Sequence, residues 1–443
     1  MTAGRTTGPT RPQRLLRAAG DALTGLAAAA AAVGAGELVA AFTGPAGAPV
    51  TAVGSAAIDL APTPVKEYAV RHFGTQDKPM LLLGIYLVMA ALAALAGLLA
   101  ARWPVAGAAV LLLFGGVGVW AALSRTTATT ADALPSVAAG LVGATALLLL
   151  GRRRRRARPP ATGVAVPEGP GRRAVLVATG GTLALGTLAA FGGRMLADRR
   201  YDVGAARRAV RLPPPAVPAP ALPPGVTPGV PGLSRFVTAN QDFYRVDTAL
   251  ALPRIDPRDW SLRVHGLVDH PLLIGFDELL RRPLTELDHT LSCVSNEVGG
   301  PYVSTTRWLG APLADLLRQA GVRAGADQLV GRSKDGMTIG TPLAAVLDGR
   351  TALLAVAMNG EPLPVAHGFP CRSVVPGFYG YTSATKWLVD LEVTTFAAYD
   401  PYWVERGWDR TGAVKTASRI EVPAPFARVP AGTVSVAGTA WAT

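Results

Sequence analysis

Cys293 is the residue whose type and setting point most directly to chemistry. It follows a strand-like run and opens a polar turn, in the segment LSCVSNEVGG at 291–300. A thiolate at the edge of a strand can act as a nucleophile, a redox thiol or a ligand to a soft metal ion. Nucleophilic catalysis needs a base, and His289 lies just upstream, but no third residue can be named to orient it. A lone cysteine can also be a small buried hydrophobe, so this segment by itself leaves the choice open.

A second segment, from Asn359 to Leu388, is rich in glycine, proline and hydrogen-bond donors. The glycines and prolines predict a tightly turned loop. Such a loop could hold an anion such as phosphate through the donors His367, Arg372, Ser383, Thr385 and Lys386. The alternative is a glycine-rich turn whose charges are simply solvated.

Taken together, the two segments resemble the sulfite oxidase family, which includes sulfite oxidases, plant-type nitrate reductases and a bacterial periplasmic methionine sulfoxide reductase. The resemblance covers about residues 230–443. It rests on TANQDFYRVDT at 238–248, CVSN at 293–296, WLGAPL at 308–313 and GEPLPVAHGFPCRSVVPGFYG at 360–380, followed by Lys386-Trp387. Several motifs in the same order are far more specific than any one of them.

The resemblance implies a molybdenum centre held by the dithiolene of a pterin cofactor, molybdopterin, with Cys293 as the only protein ligand to the metal. The positions that match the family's pterin and phosphate contacts are Asn240, Phe243, Tyr244, Ser333, His367, Arg372, Ser383, Thr385 and Lys386. Cys371 falls where the family needs only a small residue and is interpreted as a bystander. A buried phosphate needs charge-assisted donors to offset its desolvation, so we expect Arg372 to matter most.

The chain departs from sulfite oxidases directly after Asn296. Those enzymes carry arginine at the next position, whereas this chain carries Glu297. A carboxylate near the metal would repel sulfite or nitrate by a few kcal/mol at short range in a partly screened site. We therefore expect Glu297 to influence catalysis by favouring a neutral or cationic substrate. Methionine sulfoxide or another S- or N-oxide is a candidate by analogy.

The composition indicates that part of the chain lies in lipid. Half of the residues, 50%, are hydrophobic and the mean hydropathy of +0.31 is high for a soluble protein. The formal charge of +13 would ordinarily suggest nucleic acid, but eight arginines between Arg152 and Arg173 lie beside apolar segments. Only two cysteines occur and they form no Cys-x-x-Cys motif, which disfavours zinc fingers, iron–sulfur sites and c-type haem.

Five apolar segments are each about long enough to cross a bilayer: 22–42, 79–100, 104–123, 133–150 and 174–193. The first contains Glu37, which we expect to lie near an interface or to face a neighbouring helix, without an assigned function. Arginines concentrate on one side of these segments, at Arg5, Arg11, Arg14, Arg17, Arg102, Arg152 to Arg156 and Arg158. The positive-inside rule then predicts a cytoplasmic tail at 1–20, a transmembrane region at 21–194 and everything later outside the cytoplasm.

The start of the fifth apolar segment resembles a twin-arginine export signal. Arg172 and Arg173 are adjacent there and are followed at once by apolar residues. Because twin-arginine export moves domains that have already folded around a cofactor, such a signal would suit a cofactor-loaded outer domain. The alternative is that the two arginines only add to the positive charge on the cytoplasmic side.

Residues 195–231 are predicted to be an extracytoplasmic linker. Its stretch from 212 to 231 holds nine prolines and can form neither a helix nor a central strand. In an extended conformation of about 3.1 Å per residue, that stretch could hold the next domain up to roughly 60 Å from the membrane.

Residues 232–400 have the mixed pattern of an α+β globular domain, and the resemblance implies that this domain binds molybdopterin. Trp260–Gly266 alternates like a strand, Leu313–Ala320 has helical spacing, and Lys334–Met337 is typical of a hairpin turn. Residues 401–443 resemble the opening strands of the immunoglobulin-like dimerisation domain found in the sulfite oxidase branch of the family.

The sequence as a whole predicts a membrane-anchored, molybdopterin-dependent oxidoreductase that performs two-electron, oxygen-atom-transfer chemistry outside the membrane. No haem or iron–sulfur motif is visible, so we expect a separate electron partner, either a cytochrome or a quinone-linked membrane protein. The alternative is a membrane-tethered binding module that keeps the fold without the metal. A transporter is disfavoured because the apolar segments are unbroken and, apart from Glu37, uncharged.

Overall fold

The computed structural model describes residues 10–73, 76–125, 127–157 and 171–442, so Arg5 and Arg158 lie outside the described residues. The chain forms two units, Met1–Tyr201 with Ala249–Ala251 and Asp202–Thr248 with Leu252–Thr443. The first unit is helical, and the second combines helices with sheets. The mixed α+β architecture is therefore confirmed, while membrane crossing remains a prediction.

The described part of the first unit contains seven α-helices: α1 (Arg11–Thr43), α2 (Pro49–Leu60), α3 (Thr63–Phe73), α4 (Asp77–Arg102), α5 (Pro104–Leu123), α6 (Leu134–Arg156) and α7 (Arg172–Arg200). Among the described residues, five helices are long and apolar enough to cross a membrane, and they correspond to the five predicted segments. The shorter helices α2 and α3, which occupy the connection after α1, were not predicted from the sequence.

Glycines allow the helices of the first unit to approach each other closely. A β-carbon on Gly25 of α1 would lie 1.9 Å from the carbonyl oxygen of Ala93 in α4, and one on Gly186 of α7 would lie 2.5 Å from the backbone of Ala30. Small residues at helix contacts are the usual means of close packing in membrane bundles. Glu37 of α1 is buried and accepts a hydrogen bond from Arg194 of α7 at 2.9 Å, so it does face a neighbouring helix.

The second unit begins with the short helix α8 (Gly204–Ala209) and the proline-rich stretch. This stretch is extended, as predicted, but it is bound rather than free. The Ala216 amide donates to the Leu284 carbonyl at 2.7 Å, and the Glu286 amide donates to the Val217 carbonyl at 2.9 Å. Non-proline residues between the prolines keep their amide groups, so they can pair with a strand edge. Ala216 and Val217 are therefore held against the start of β3, while the reach of the linker from the membrane stays a prediction.

The second unit contains twelve strands among its described residues. They are β1 (Ser261–Gly266), β2 (Leu272–Gly275), β3 (Thr285–Ser292), β4 (Val303–Pro312), β5 (Gln328–Ser333), β6 (Thr338–Pro342), β7 (Leu353–Met358), β8 (Glu361–Pro362), β9 (Arg372–Val374), β10 (Leu388–Thr394), β11 (Ala417–Val422) and β12 (Ala437–Trp441). Four helices accompany them: α9 (Phe276–Arg281), α10 (Leu313–Ala320), α11 (Leu343–Leu347) and α12 (Gly380–Ser383).

The strands form three sheets. The first has the order β2-β1-β10-β5-β6, with β1 parallel to β10. The second has the order β3-β4-β7-β8, with β9 also paired to β7. The third is the antiparallel pair β11-β12 near the end of the chain.

The local elements predicted in this unit are confirmed. Strand β1 and helix α10 occupy the predicted positions, and the turn at Lys334–Met337 connects the paired strands β5 and β6. Helix α10 forms because its buried residues Leu313, Leu316, Leu317 and Ala320 repeat at helical spacing. It ends at Gly321, whose φ of +70° suits glycine at a helix C-terminus.

Candidate active site

Cys293 opens the turn between β3 and β4, as the sequence predicted. Its amide donates to the Tyr302 carbonyl at 2.9 Å, and its carbonyl accepts from the Asn296 amide at 3.0 Å. The Asn296 side chain in turn accepts from the Tyr302 amide at 2.8 Å. Burial raises the pKa of the Cys293 thiol, and hydrogen bonds from the backbone and side chain of Ser295 oppose that rise. The sulfur therefore sits half-buried in a turn that fixes its position.

Cys293 continues one face of the β3-β4 ladder. Side chains alternate along a strand, so His289 and Leu291 lie on the same face as Cys293. His289 is paired in register with Thr306 of β4, and Trp308 lies two residues further along that face. Burial, followed by the charge of Arg372, lowers the pKa of His289 to about 4, so its ring is neutral near neutral pH.

Three buried polar atoms near this face lack hydrogen-bond partners within the part of the chain that the structure describes. They are Nε2 of His289, Oγ1 of Thr306 and Nε of Arg372. The Arg372 guanidinium lies over the Trp308 ring, 5.0 Å from its centroid, which connects it to the same face. Buried polar groups without partners are uncommon in folded proteins, so these three atoms are candidates to contact a ligand.

Arg372 of β9 is the most deeply buried cation of the site. It is 4% exposed, and one of its guanidinium nitrogens, Nη1, donates to the His367 carbonyl at 3.1 Å. Burial lowers its pKa to about 10, and the coulombic contributions of Tyr244 and Cys371 only partly oppose that effect. The surroundings therefore compensate the charge of Arg372 incompletely.

Lys386 is a second cation with little exposure, its side chain being 12% exposed, but it has a carboxylate partner. Its Nζ donates to Asp247 at 2.8 Å and to the Val246 carbonyl at 3.1 Å. Burial lowers its pKa to about 8, against the raising effect of Asp247. Asp247 also pairs with Arg245 at 2.7 Å, so one carboxylate is shared between two cations.

Gly368 allows His367, Arg372 and Lys386 to converge. Its φ is +107°, and a β-carbon there would lie 3.1 Å from both the Arg372 β-carbon and the Lys386 α-carbon. A larger residue would thus face both backbone strain and crowding at this point. Burial, followed by the charges of Arg372 and Lys386, lowers the pKa of His367 to about 4.

Asn240, Phe243 and Tyr244 come from the segment before β1 and reach the same site. The Asn240 carbonyl lies 3.2 Å from Nε2 of His367. The side-chain amide of Asn240 donates to the Met358 carbonyl at 3.1 Å. The Phe243 ring packs edge-on against His367, with centroids 5.3 Å apart. Burial raises the pKa of the Tyr244 hydroxyl, and the neighbouring Cys293 raises it further.

Ser333, Ser383 and Thr385 were predicted to contact the pterin, but the hydroxyls of Ser333 and Ser383 and the backbone amide of Thr385 bond within the protein. The Ser383 hydroxyl donates to the carbonyls of Phe378 and Tyr379 at 3.1 and 3.0 Å. Ser333 accepts from the Asp335 amide at 3.4 Å, and the Thr385 amide donates to Ser373 at 2.9 Å. Their role in binding a cofactor stays a prediction.

The two remaining candidates of the sequence analysis lie in different settings. Glu297 is exposed in the turn that carries Cys293, where its carbonyl accepts from the Gly300 amide at 2.8 Å. Cys371 is fully buried, and both cysteines are free thiols. Its burial within the apolar core agrees with its interpretation as a bystander.

Thr306, Trp308 and Asp247 were not predicted as parts of the site, and His289 was considered only as a base. The first two could have been found by extending the alternation of β3 and its partner strand back from Cys293. Asp247 lies within a motif that was recognised, but its ion pair with Lys386 joins residues far apart in the chain.

Comparison with known proteins agrees with this geometry. Residues 249–403 match a family model described as the oxidoreductase molybdopterin binding domain. The chain is 36% identical over 157 residues to the uncharacterized oxidoreductase YuiH of Bacillus subtilis (strain 168), covering 35% of this chain and 76% of that protein. It is 32% identical over 249 residues to mitochondrial sulfite oxidase of Mus musculus, covering 46% of this chain and 45% of the mouse protein.

A solved structure also aligns with the chain. The sulfane dehydrogenase SoxCD of Paracoccus pantotrophus gives a TM-score of 0.42 at 25% sequence identity, over 47% of this chain and 60% of that chain. This chain thus spans more than two thirds of the Bacillus protein, but less than half of the mouse sulfite oxidase.

Proposed function

Because the chain belongs to the sulfite oxidase family of molybdopterin-dependent oxidoreductases, we propose that Cys293 and the surrounding cations hold a molybdenum–pterin cofactor. Membership of the family implies the cofactor. The observation that carries the proposal is the buried, incompletely compensated guanidinium of Arg372, beside the face of the sheet that Cys293 continues. A soft thiol ligand and an anion site then lie within one constellation.

The donor set fits such a cofactor chemically. A buried cation without a full counter-charge is costly, and an anionic phosphate would relieve that cost. Arg372 can offer its unpartnered Nε to an oxygen acceptor, and Lys386 lies close enough to influence the same region electrostatically. The unpartnered atoms of His289 and Thr306 provide further polar contacts for a ligand on this face.

Each residue then has a distinct role. Cys293 is the proposed protein ligand to the metal, and the turn with Ser295 and Asn296 keeps its sulfur at the end of β3. Arg372, His367 and Lys386 would bind the phosphate, while Asn240, Phe243 and Tyr244 would form a wall of the pterin site. Ser333, Ser383 and Thr385 are retained as proposed contacts on the basis of the family resemblance. When bound, the cofactor supplies two-electron, oxygen-atom-transfer chemistry.

The anion site is tested by an Arg372→Met variant of the full chain, expressed with cofactor assembly proteins. Losing a charge-assisted contact of about 1.5–3 kcal/mol should weaken pterin retention roughly 10- to 100-fold. Oxidised-pterin fluorescence of the purified protein measures the retained amount. The control is Arg263→Met, because Arg263 of β1 is an exposed arginine paired with Asp390. Equal pterin content in the two variants would contradict the proposed anion site.

We propose that the substrate is neutral or cationic, with an S- or N-oxide as the candidate class. The support is Glu297, an acidic residue exposed on the turn that carries Cys293. Because Glu297 is exposed to solvent, its repulsion of an anion at contact distance is about 1 kcal/mol, which is smaller than the value for a buried site.

We propose that the natural electron partner is a separate cytochrome or quinone-linked membrane protein. Activity assays without that partner require an artificial electron acceptor.

A Glu297→Arg variant tests the substrate class. Replacing a negative by a positive charge should raise kcat/KM for sulfite about tenfold or more, because both the lost repulsion and the new attraction favour the anion. Steady-state assays with an artificial electron acceptor measure this change at low ionic strength. The control, Asp315→Arg, makes the same charge change at an exposed position on α10 and should leave the value unchanged. Rapid sulfite oxidation by the parent protein would contradict the proposal.

We also propose that the five apolar helices cross the cell membrane, with the N-terminus in the cytoplasm and the catalytic unit outside. The support is the distribution of charge at their ends: α6 ends in Arg153 to Arg156, and α4 ends at Arg102. The positive-inside rule assigns both ends to the cytoplasm, and an odd number of spans places the second unit on the opposite side.

Alkaline phosphatase fusions test this topology, because the enzyme is active only outside the cytoplasm. A fusion after residue 231 should be active and one after residue 156 should be inactive. The twin-arginine signal needs a separate fusion after residue 231 to a reporter that folds in the cytoplasm. Replacing Arg172 and Arg173 by lysine keeps the charge, so it should block export of that reporter only if the pair is a twin-arginine signal. The reverse pattern of activity in the two original fusions would contradict the orientation.

A further inference from the structure

The C-terminal hairpin of β11 and β12 contacts the turn that carries Cys293. Arg419 of β11 donates from Nη1 to the Gly300 carbonyl at 2.6 Å. The same guanidinium donates from Nε to Glu421 at 2.7 Å. The Arg419 side chain is 16% exposed, so it is held between the hairpin and the turn rather than extended into solvent.

Glu421 fixes the orientation of this arginine. It accepts hydrogen bonds from the Ser234 amide at 2.6 Å and from the Thr439 hydroxyl of β12 at 3.1 Å. The Glu421 carboxylate thus joins both strands of the hairpin to the segment around Ser234, which precedes β1. The ion pair with Glu421 orients the Arg419 guanidinium independently of the turn. Less conformational entropy is therefore lost when Arg419 bonds to the Gly300 carbonyl.

Backbone hydrogen bonds hold the ends of this turn, but its outer residues are open to solvent. Val294, Ser295 and 297–299 are exposed, and Val298 is fully so. Gly299 has a φ of +77°, and a β-carbon on Gly300 would lie 2.8 Å from the Asn296 side-chain oxygen. Segments with few buried apolar contacts open at low free-energy cost, and a charged hydrogen bond from another element adds to their stability.

We propose that Arg419 is a positioning residue that holds the Gly300 end of this turn and so keeps Cys293 and Glu297 in place. The importance of this role for catalysis rests on the proposed function, since it is Cys293 that would bind the metal. The contact also couples the C-terminal hairpin to the site. Movement of the hairpin would release the turn without altering the cations around Arg372.

Hydrogen exchange in the cofactor-free full chain tests this role. In Arg419→Ala, the amides of Asn296, Gly300 and Tyr302 should exchange about tenfold faster, because one charged hydrogen bond is lost. Arg419→Lys keeps the charge and should restore part of the protection. The control is Arg428→Ala, an exposed arginine between the two strands, which should exchange like the parent. An unchanged rate for the turn peptide in Arg419→Ala would overturn the proposal.

Alkylation of the same proteins separates a released turn from general unfolding. Cys371 is fully buried, so a thiol reagent should label Cys293 alone, and faster in Arg419→Ala than in the parent. Labelling of both cysteines at equal rates would indicate unfolding of the domain and would also overturn the proposal. Neither measurement requires bound molybdenum. Failure of the proposed function, seen as a parent without cofactor, is therefore distinguishable from failure of this inference.

Discussion

The buried charge of Arg372 is the constraint on which the site depends. Placing a guanidinium at 4% exposure without full compensation costs free energy that the rest of the fold must offset. The stacking on Trp308, the carbonyl of His367 and the close approach allowed by Gly368 hold it in that position. The proposed anion site would therefore bind its ligand without first reorganising, which would offset the stability that is lost.

The cations and the thiol occupy different parts of the second unit, and the sheet brings them together. Cys293 extends the strand β3, Arg372 lies on β9, and both strands belong to the sheet built around β4 and β7. The thiol lies in a short turn with exposed outer residues, whereas Arg372 bonds to the His367 carbonyl and Lys386 to Asp247. The half of the site near Glu297 is the one that the C-terminal hairpin contacts.

Much of this arrangement could be predicted from the sequence where the signal is local. The strand end at Cys293, helix α10 and the turn after β5 all follow from residue patterns within a few positions. The family motifs brought Asn240, Phe243, His367 and Arg372 into one proposed site. What could not be predicted depends on residues distant in sequence: the Lys386–Asp247 pair, the unpartnered atoms of His289 and Thr306, and the pairing of the proline-rich stretch with β3. The hydroxyls of Ser333 and Ser383 show a further limit, since a motif does not reveal how such a group bonds within its own turn.

X-ray absorption at the molybdenum edge tests directly whether Cys293 binds the metal, because the spectrum reports the number and type of atoms bound to molybdenum. The full chain would be loaded with cofactor and compared with its Cys293→Ser variant, under conditions in which both retain molybdenum. We expect one fewer sulfur neighbour of molybdenum in the variant than in the parent, since Cys293 is the proposed protein ligand. The same number of sulfur neighbours in both proteins would contradict it.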